Sequence, residues 1–153
     1  MSDETYDPLG LNINLKEVDT SRPVLVEGKF LFSVKECSVV PKKDDPSKRN
    51  LMVVFALDQE ADSVQGDKIN PGFQVRRYLP LQQSDNPNAQ DFTKDLVRFL
   101  DAAFDIDDPQ DRPTAFPDPA EFVGRQLGLA IRIQEDDTGK QNDVRAFLRT
   151  NEL

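Results

Sequence analysis

Histidine is absent from this 153-residue sequence. Without it, neither a Ser-His nor a Cys-His nucleophile pair can be built, and no zinc site with histidine ligands can form. The single cysteine, Cys37, excludes an internal disulfide and cannot supply a structural zinc site; it is expected to be a small buried residue. Catalysis would have to depend on carboxylates, lysine or tyrosine. The composition therefore favours a binding protein without a cofactor over an enzyme.

The sequence also lacks the motifs for binding nucleoside triphosphates or dinucleotides and the apolar segments for insertion into a membrane. There is no GxxxxGK[ST] or GxGxxG motif, so neither common phosphate-binding loop is present. No apolar run is long enough to span a bilayer, and the N-terminus MSDETYDPLG is too polar for a signal peptide. With a single cysteine, the sequence predicts a soluble protein of the reducing cytoplasm.

The net charge of −9 is unevenly distributed along the chain. Residues 81–124 alone carry a net charge of −7, whereas residues 23–57 carry +2 and residues 125–153 are balanced. The regions with strand patterns are therefore neutral or basic. A local basic face on an acidic protein is compatible with this distribution.

Residues 24–40 have the period of two that is typical of a half-buried β-strand. The apolar positions on one face are Val24, Val26, Phe30, Phe32 and Val34, and Gly28 interrupts that face. Glycine inside a strand usually marks a bulge or a bend. We therefore predict one long strand that bends at Gly28 and pairs with a neighbour on each side.

The remaining elements follow from the same patterns. A turn-rich loop at 41–50 precedes a strand at 51–57, which is apolar on both faces and so is predicted to be central or covered by a partner or ligand. A third strand is predicted at 73–79. A helix is predicted at 92–103, capped by Asp91, with an apolar stripe of Phe92, Leu96, Phe99, Leu100 and Ala103.

The C-terminal third begins with an acidic, proline-rich segment at 105–121 that is predicted to wrap over the surface. Its aspartates could chelate a hard cation, but they lack the glycine and terminal glutamate of a calcium loop, so a solvated surface is the better interpretation. Two strands of a hairpin follow, with apolar alternation at 127–133 and 144–148 and a turn at 135–140.

Three strands, a helix and two further strands form the order of the OB-fold. The sequence therefore predicts a mainly β protein, a five-stranded OB-like barrel with one helix between strands three and four. A small open sheet with one covering helix is the alternative. Residues 23–153 would form this domain. Residues 1–22 would be an N-terminal arm, either mobile or held as an edge strand through Leu9, Leu11, Ile13 and Leu15.

OB barrels bind single strands on strands two and three, between the loop joining strands one and two and the loop joining strands four and five. Basic side chains for phosphates and aromatic rings for bases are the groups required there. The predicted surface has them on the first loop, on strands one, three and five, and at Lys140 in the second loop. Each also has an ordinary structural interpretation: the loop lysines could be merely solvated, Tyr78 could be a core residue, and Phe147 could pack under the helix.

Four segments of the sequence resemble the bacteriophage single-stranded DNA-binding proteins of OB-fold type. They are VEGKFLFSVKECSVV, LMVVFAL, FTKDLVRFLDAAF and FVGRQLGLAIRIQEDDTGKQNDVRAFL. The resemblance implies sequence-tolerant binding of single-stranded DNA in phage DNA replication or recombination, in the cytoplasm of the host cell. By position, it implies these binding residues: Lys29, Lys35, Lys42, Lys43, Lys48, Arg49, Arg76, Tyr78, Arg132, Arg145, Phe147 and Arg149.

The sequence departs from that family in two respects. Many members end in an acidic tail that recruits partners, whereas this sequence ends in Arg149-Thr-Asn-Glu-Leu153; segment 105–121 is the alternative contact for replication or recombination proteins. Tryptophan is absent, which limits the strength of base stacking. The competing hypothesis is an acidic protein-interaction or structural module with an OB-like barrel that docks through segment 105–121 or the arm. Either hypothesis allows a homodimer.

Overall fold

A computed structural model describes residues 8–17, 22–81, 89–137 and 139–153, with side chains in the helix described from Thr93 onward. The longer elements are β1 (Gly28–Pro41), β2 (Arg49–Leu57), β3 (Ala61–Asp62), β4 (Lys68–Ile69), β5 (Gln74–Pro80), α1 (Ala89–Phe104), β6 (Gln126–Asp136) and β7 (Gly139–Leu148). Short 3-10 helices occur at Leu15–Glu17, Pro109–Asp111, Pro119–Phe122 and Thr150–Glu152. The predicted order of three long strands, a helix and two strands is confirmed. The small β3–β4 hairpin was not predicted.

The five long strands form one antiparallel sheet in the order β5-β2-β1-β6-β7. Residues 32–41 of β1 pair with β2, and residues 28–33 pair with β6, so the predicted two-sided pairing of the first strand is confirmed. Because every strand is antiparallel to its neighbours, the two outermost strands, β5 and β7, run in the same direction. Within the described residues no ladder joins these two strands, and the sheet is not closed into a barrel.

The chain bends at Glu27, directly before Gly28, so the predicted bend lies at the start of the strand and not inside it, and a bulge that was not predicted lies at Lys35. Val34 is opposite Phe55 and Glu36 is opposite Val54, which leaves Lys35 as the extra residue of a bulge. Gly28 is instead the first residue of the strand. The chain before it pairs elsewhere: Leu25 bridges to Ser63 beside the β3–β4 hairpin.

Helix α1 begins at Ala89, three residues earlier than predicted, so Asp91 lies within its first turn and is not the cap. Phe99, Leu100 and Ala103 of the predicted apolar stripe are buried. The Phe99 ring packs among Phe55, Phe122 and Phe147, with centroid separations of 5.9, 4.7 and 5.4 Å. This aromatic cluster attaches the helix to β2 and β7.

Segment 105–121 crosses the surface without long regular structure, as predicted. Its aspartates have local structural roles: Asp108 accepts a hydrogen bond from the Gln110 N–H, and Asp118 accepts one from the Ala120 N–H, each at 3.0 Å. Both carboxylates therefore cap short 3-10 helices. Phe122, fully buried, anchors the end of the segment in the core.

The predicted arm is described at 8–17 and at Arg22. No strand forms at 8–17, so the predicted edge strand is wrong for this part of the arm. Four aliphatic side chains there are between 52% and 78% exposed: Leu9, Leu11, Ile13 and Leu15. Residues 1–7 and 18–21 of the arm, and 82–88 of the predicted loop before the helix, lie outside the described residues. No helix in the described ranges has the length and apolarity needed to span a membrane.

Cys37 faces the core from β1, and burial raises the pKa of its thiol to about 11. The unfolded chain loses this proton near pH 9, two pH units earlier, so the folded state binds more protons between these values. We expect the free energy of unfolding to fall by on the order of 2 kcal/mol as the pH rises through this window. Urea titrations of the wild type and Cys37→Ala at several pH values would measure it. An identical pH dependence in both proteins would contradict the assignment.

Candidate nucleic-acid interface

The register of β1, β2 and β5 arranges in rows the side chains that face away from the main core. Ser38, Met52 and Tyr78 form one row, and the next row consists of Glu36, Val54 and Arg76. Neighbouring strands are about 5 Å apart, so each row extends about 10 Å. We call the surface formed by these six residues the outer face.

Tyr78 lies at the edge of the outer face, and 47% of it is exposed. The interpretation of Tyr78 as a core residue is therefore wrong. Arg76 is the next residue along the same face of β5 and is also exposed. The half-buried Met52 is opposite Tyr78 in the register. An exposed ring beside a guanidinium is an arrangement on which an unpaired base can stack while its phosphate is neutralised.

The loop at 42–48 closes one end of the outer face. The Lys42 N–H donates to the Lys48 carbonyl at 2.8 Å, which folds the loop back on itself. Hydrogen bonds from Ser47, followed by the charges of Lys48 and Lys42, lower the pKa of Asp45. Asp45 therefore stays ionised and offsets part of the positive charge of this loop.

Lys43 and Arg49, in and beside this loop, are exposed and form no ion pair with a described carboxylate. Lys35 is likewise exposed and unpaired on the β1 bulge, next to Glu36. The structure thus places Lys35, Lys42, Lys43, Lys48, Arg49, Arg76 and Tyr78 on the outer face or along its border.

A cleft of about 290 Å³ opens where β5 and β7 separate, at the border of the outer face. We call it the seam cleft. Its walls come from residues 22–24, from 73–76 and from 140–142, and its cations are Arg22, Arg76 and Lys140. Among its described lining residues there is no aspartate or glutamate. Arg22 was missed because no local pattern shows that the residue following the arm returns to β5.

Three predicted binding residues lie on the other half of the sheet. Lys29 is opposite Ala130 of β6, in the part of β1 that does not pair with β2. Arg132 forms an ion pair with Asp143 at 2.7 Å, and Arg145 is exposed on β7. None of the three occurs in a pair with β2 or β5, whereas Tyr78 is paired with Met52 of β2.

Phe147 and Arg149 were predicted on the outer side of the last strand, and the structure places them elsewhere. Ile131 is opposite Val144 while Ala130 is opposite Ala146, so Arg145 is an extra residue that shifts the alternation. Phe147 therefore faces inward, 6.1 Å from the Phe55 ring centroid.

Arg149 is only 21% exposed, and it forms ion pairs with Asp105, Asp107 and Glu152 at 3.7, 3.2 and 3.3 Å. Three carboxylates thus neutralise its charge on the side of the acidic segment. Neither Phe147 nor Arg149 is available to a ligand on the outer face.

Arg77, which no sequence pattern singled out, spans the gap between β5 and β7. Its guanidinium lies 3.7 Å from Asp95 of α1 and 3.8 Å from Asp143 of β7. Asp143 is in turn bound by Arg132. A chain of charges therefore bridges the gap where a backbone ladder would have closed the sheet.

No family model matches this chain, and a search of curated proteins likewise finds no match. Among the residues that the structure describes, no group of three or more His, Cys, Asp or Glu side chains could hold a metal ion. The function of this surface therefore has to be inferred from its own geometry and charge.

Because Phe147 packs inward and the nearby Arg145 is exposed, substitutions at these two positions should affect stability differently. Phe147→Ala should lower the free energy of unfolding by about 2 kcal/mol or more, because it removes a ring that packs on the core. Arg145→Ala should change it by no more than about 0.5 kcal/mol, because its side chain is exposed. Chemical denaturation of both variants would measure the difference. Equal effects would place Phe147 outside the core.

Proposed function

We propose that this protein binds single-stranded DNA with little sequence preference through its outer face, in phage DNA replication or recombination. The observation that carries the proposal is the exposed Tyr78 ring, flanked by Arg76 and bordered by a cationic loop at one end of the face and the seam cleft at its edge. Stacking tolerates any base because every base has a π-face. The site class, single-stranded nucleic acid, is the one that the sequence patterns predict.

The proposal includes an OB-like architecture, with the barrel left open between β5 and β7. The strand order and the position of α1 between the third and fourth long strands support it. In that fold, strands two and three and their flanking loops are the ligand surface. Here those strands are β2 and β5, which carry Met52, Arg76 and Tyr78.

The overall negative charge is compatible with this role because acidic and basic groups are separated. The most acidic stretch, 81–124, includes α1 and the segment after it, whereas several cations that pair with no described carboxylate, such as Lys43 and Arg76, border the outer face. Exposed charges more than about 10 Å apart are largely screened at 0.1 M salt. The affinity of the outer face for a DNA strand therefore depends mainly on the charges close to that face.

A protein-interaction role is the second candidate, and one observation favours it. Leu9, Leu11, Ile13 and Leu15 are all more than half exposed within a stretch of seven residues, an unusual density of apolar surface. A partner that covers these residues would form a complex indifferent to added DNA. Persistence of such a complex after charge removal at Lys43 and Arg49 would separate this role from DNA binding.

The first test is a titration of labelled oligo-dT by fluorescence anisotropy at two salt concentrations. We expect a dissociation constant in the micromolar range or below at low salt, and marked weakening as the salt is raised. Each phosphate contact on a single strand contributes about 0.7 to the slope of log K against log salt. Absence of binding at low salt would refute the proposed function.

The second test uses substitutions on the outer face. Tyr78→Ala should weaken binding by about 1–3 kcal/mol through loss of stacking, whereas Tyr78→Phe keeps the ring and should bind like the wild type. Arg76→Gln should weaken binding and flatten the salt dependence. The matched control is Arg98→Gln, which removes an exposed arginine from α1 that is paired with Asp95. Equal losses for Arg76→Gln and Arg98→Gln would show a non-specific charge effect.

A further inference from the structure

The seam cleft has an apolar floor, unlike the rest of the outer face. Val24, Val54 and Val75 line it, and each is at most 5% exposed. The Phe73 ring is half-buried at its wall. A cleft that combines buried apolar walls with a few convergent polar groups is typical of a site for a small ligand.

The cations of the cleft come from three separate parts of the chain. Arg22 precedes β1, Arg76 lies on β5, and Lys140 lies at the start of β7. None of them forms an ion pair with a described carboxylate. Lys140 is opposite Glu135 in the hairpin register, yet the two side chains do not pair. Positive charge therefore converges on the cleft, and no carboxylate among the described residues pairs with it.

Hydrogen bonds hold the N-terminal wall in place. The Asn142 side chain accepts from the Leu25 N–H at 2.8 Å and donates to the Leu25 carbonyl at 3.0 Å. The Gln65 amide oxygen accepts from the Val24 N–H at 3.3 Å. The Arg22 guanidinium donates to the Gln74 carbonyl at 3.4 Å and lies 5.8 Å from the centroid of the Phe73 ring. The wall is thus tied to both β7 and β5, which keeps the cations near the cleft before a ligand arrives.

We infer that the seam cleft binds one nucleotide unit, with the phosphate held by Lys140 and Arg76 and the base against the apolar floor. This inference rests on the proposed function for its ligand class and adds a defined subsite beside the stacking surface at Tyr78. A phosphate requires cations without competing carboxylates, and the described lining supplies them. A base requires an apolar wall of the kind that Val24, Val54 and Phe73 provide.

Calorimetric titration of the full chain with dTMP, thymidine and inorganic phosphate tests the inference. We expect dTMP to bind more tightly than either of its parts, because only dTMP uses both the cations and the floor. Lys140→Gln and Arg76→Gln should each weaken dTMP binding by about 10-fold, the usual effect of losing one charged hydrogen bond. Lys140→Arg should retain most of the affinity. Arg98→Gln, on α1 and paired with Asp95, is the matched control and should have no effect.

Three outcomes would overturn the inference. They are phosphate binding as tightly as dTMP, thymidine binding as tightly as dTMP, and no dTMP binding by a protein that binds oligo-dT. The last result would leave the proposed function intact. Binding of dTMP in the cleft without binding of oligo-dT would refute only the proposed function. Circular dichroism of each variant separates loss of the site from loss of the fold.

Discussion

Strand β1 pairs with two different strands along its length, and the rest of the architecture depends on that constraint. Its first part joins β6 and its second part joins β2, with only Phe32 and Ser33 paired on both sides. The bulge at Lys35 follows directly and turns the strand from one half of the sheet to the other. Lys29 consequently lies in the part of β1 that pairs with β6, away from the β2 and β5 residues that carry Met52, Arg76 and Tyr78.

The same curvature brings β5 and β7 together without forming a ladder between them. Three structural features occupy the resulting seam between β5 and β7. At one end the seam cleft opens, and in the middle Arg77 connects Asp95 with Asp143. Helix α1 packs against both strands, with Phe99 in the aromatic core. The open edge of the sheet therefore carries both the ion-paired Arg77 and the three cations of the seam cleft.

Several of the described acidic residues form contacts within the protein itself. Asp108 and Asp118 cap 3-10 helices, and Asp101 forms a two-point ion pair with Arg112. Asp105 and Asp107 neutralise Arg149. By contrast, the cations that border the outer face include several, such as Lys43 and Arg76, that pair with no carboxylate in the described part of the chain. Net charge alone is thus a poor guide to the ligand, because pairing removes much of the charge that a sequence count includes.

The sequence by itself determined the strands, the helix and their order, because hydrophobic periodicity is a local property of consecutive residues. The sequence also contains a signal for the bulge. Val34 and Cys37 are apolar, whereas Lys35 and Glu36 between them are both charged, which breaks the period of two. Only the tertiary structure decided which side chains share a surface. Arg145 shifts the register of β7 and turns Phe147 inward, and the Asn142 side chain holds the backbone of Leu25, three residues after Arg22. Both effects depend on hydrogen bonds between residues distant along the chain, which no local pattern encodes.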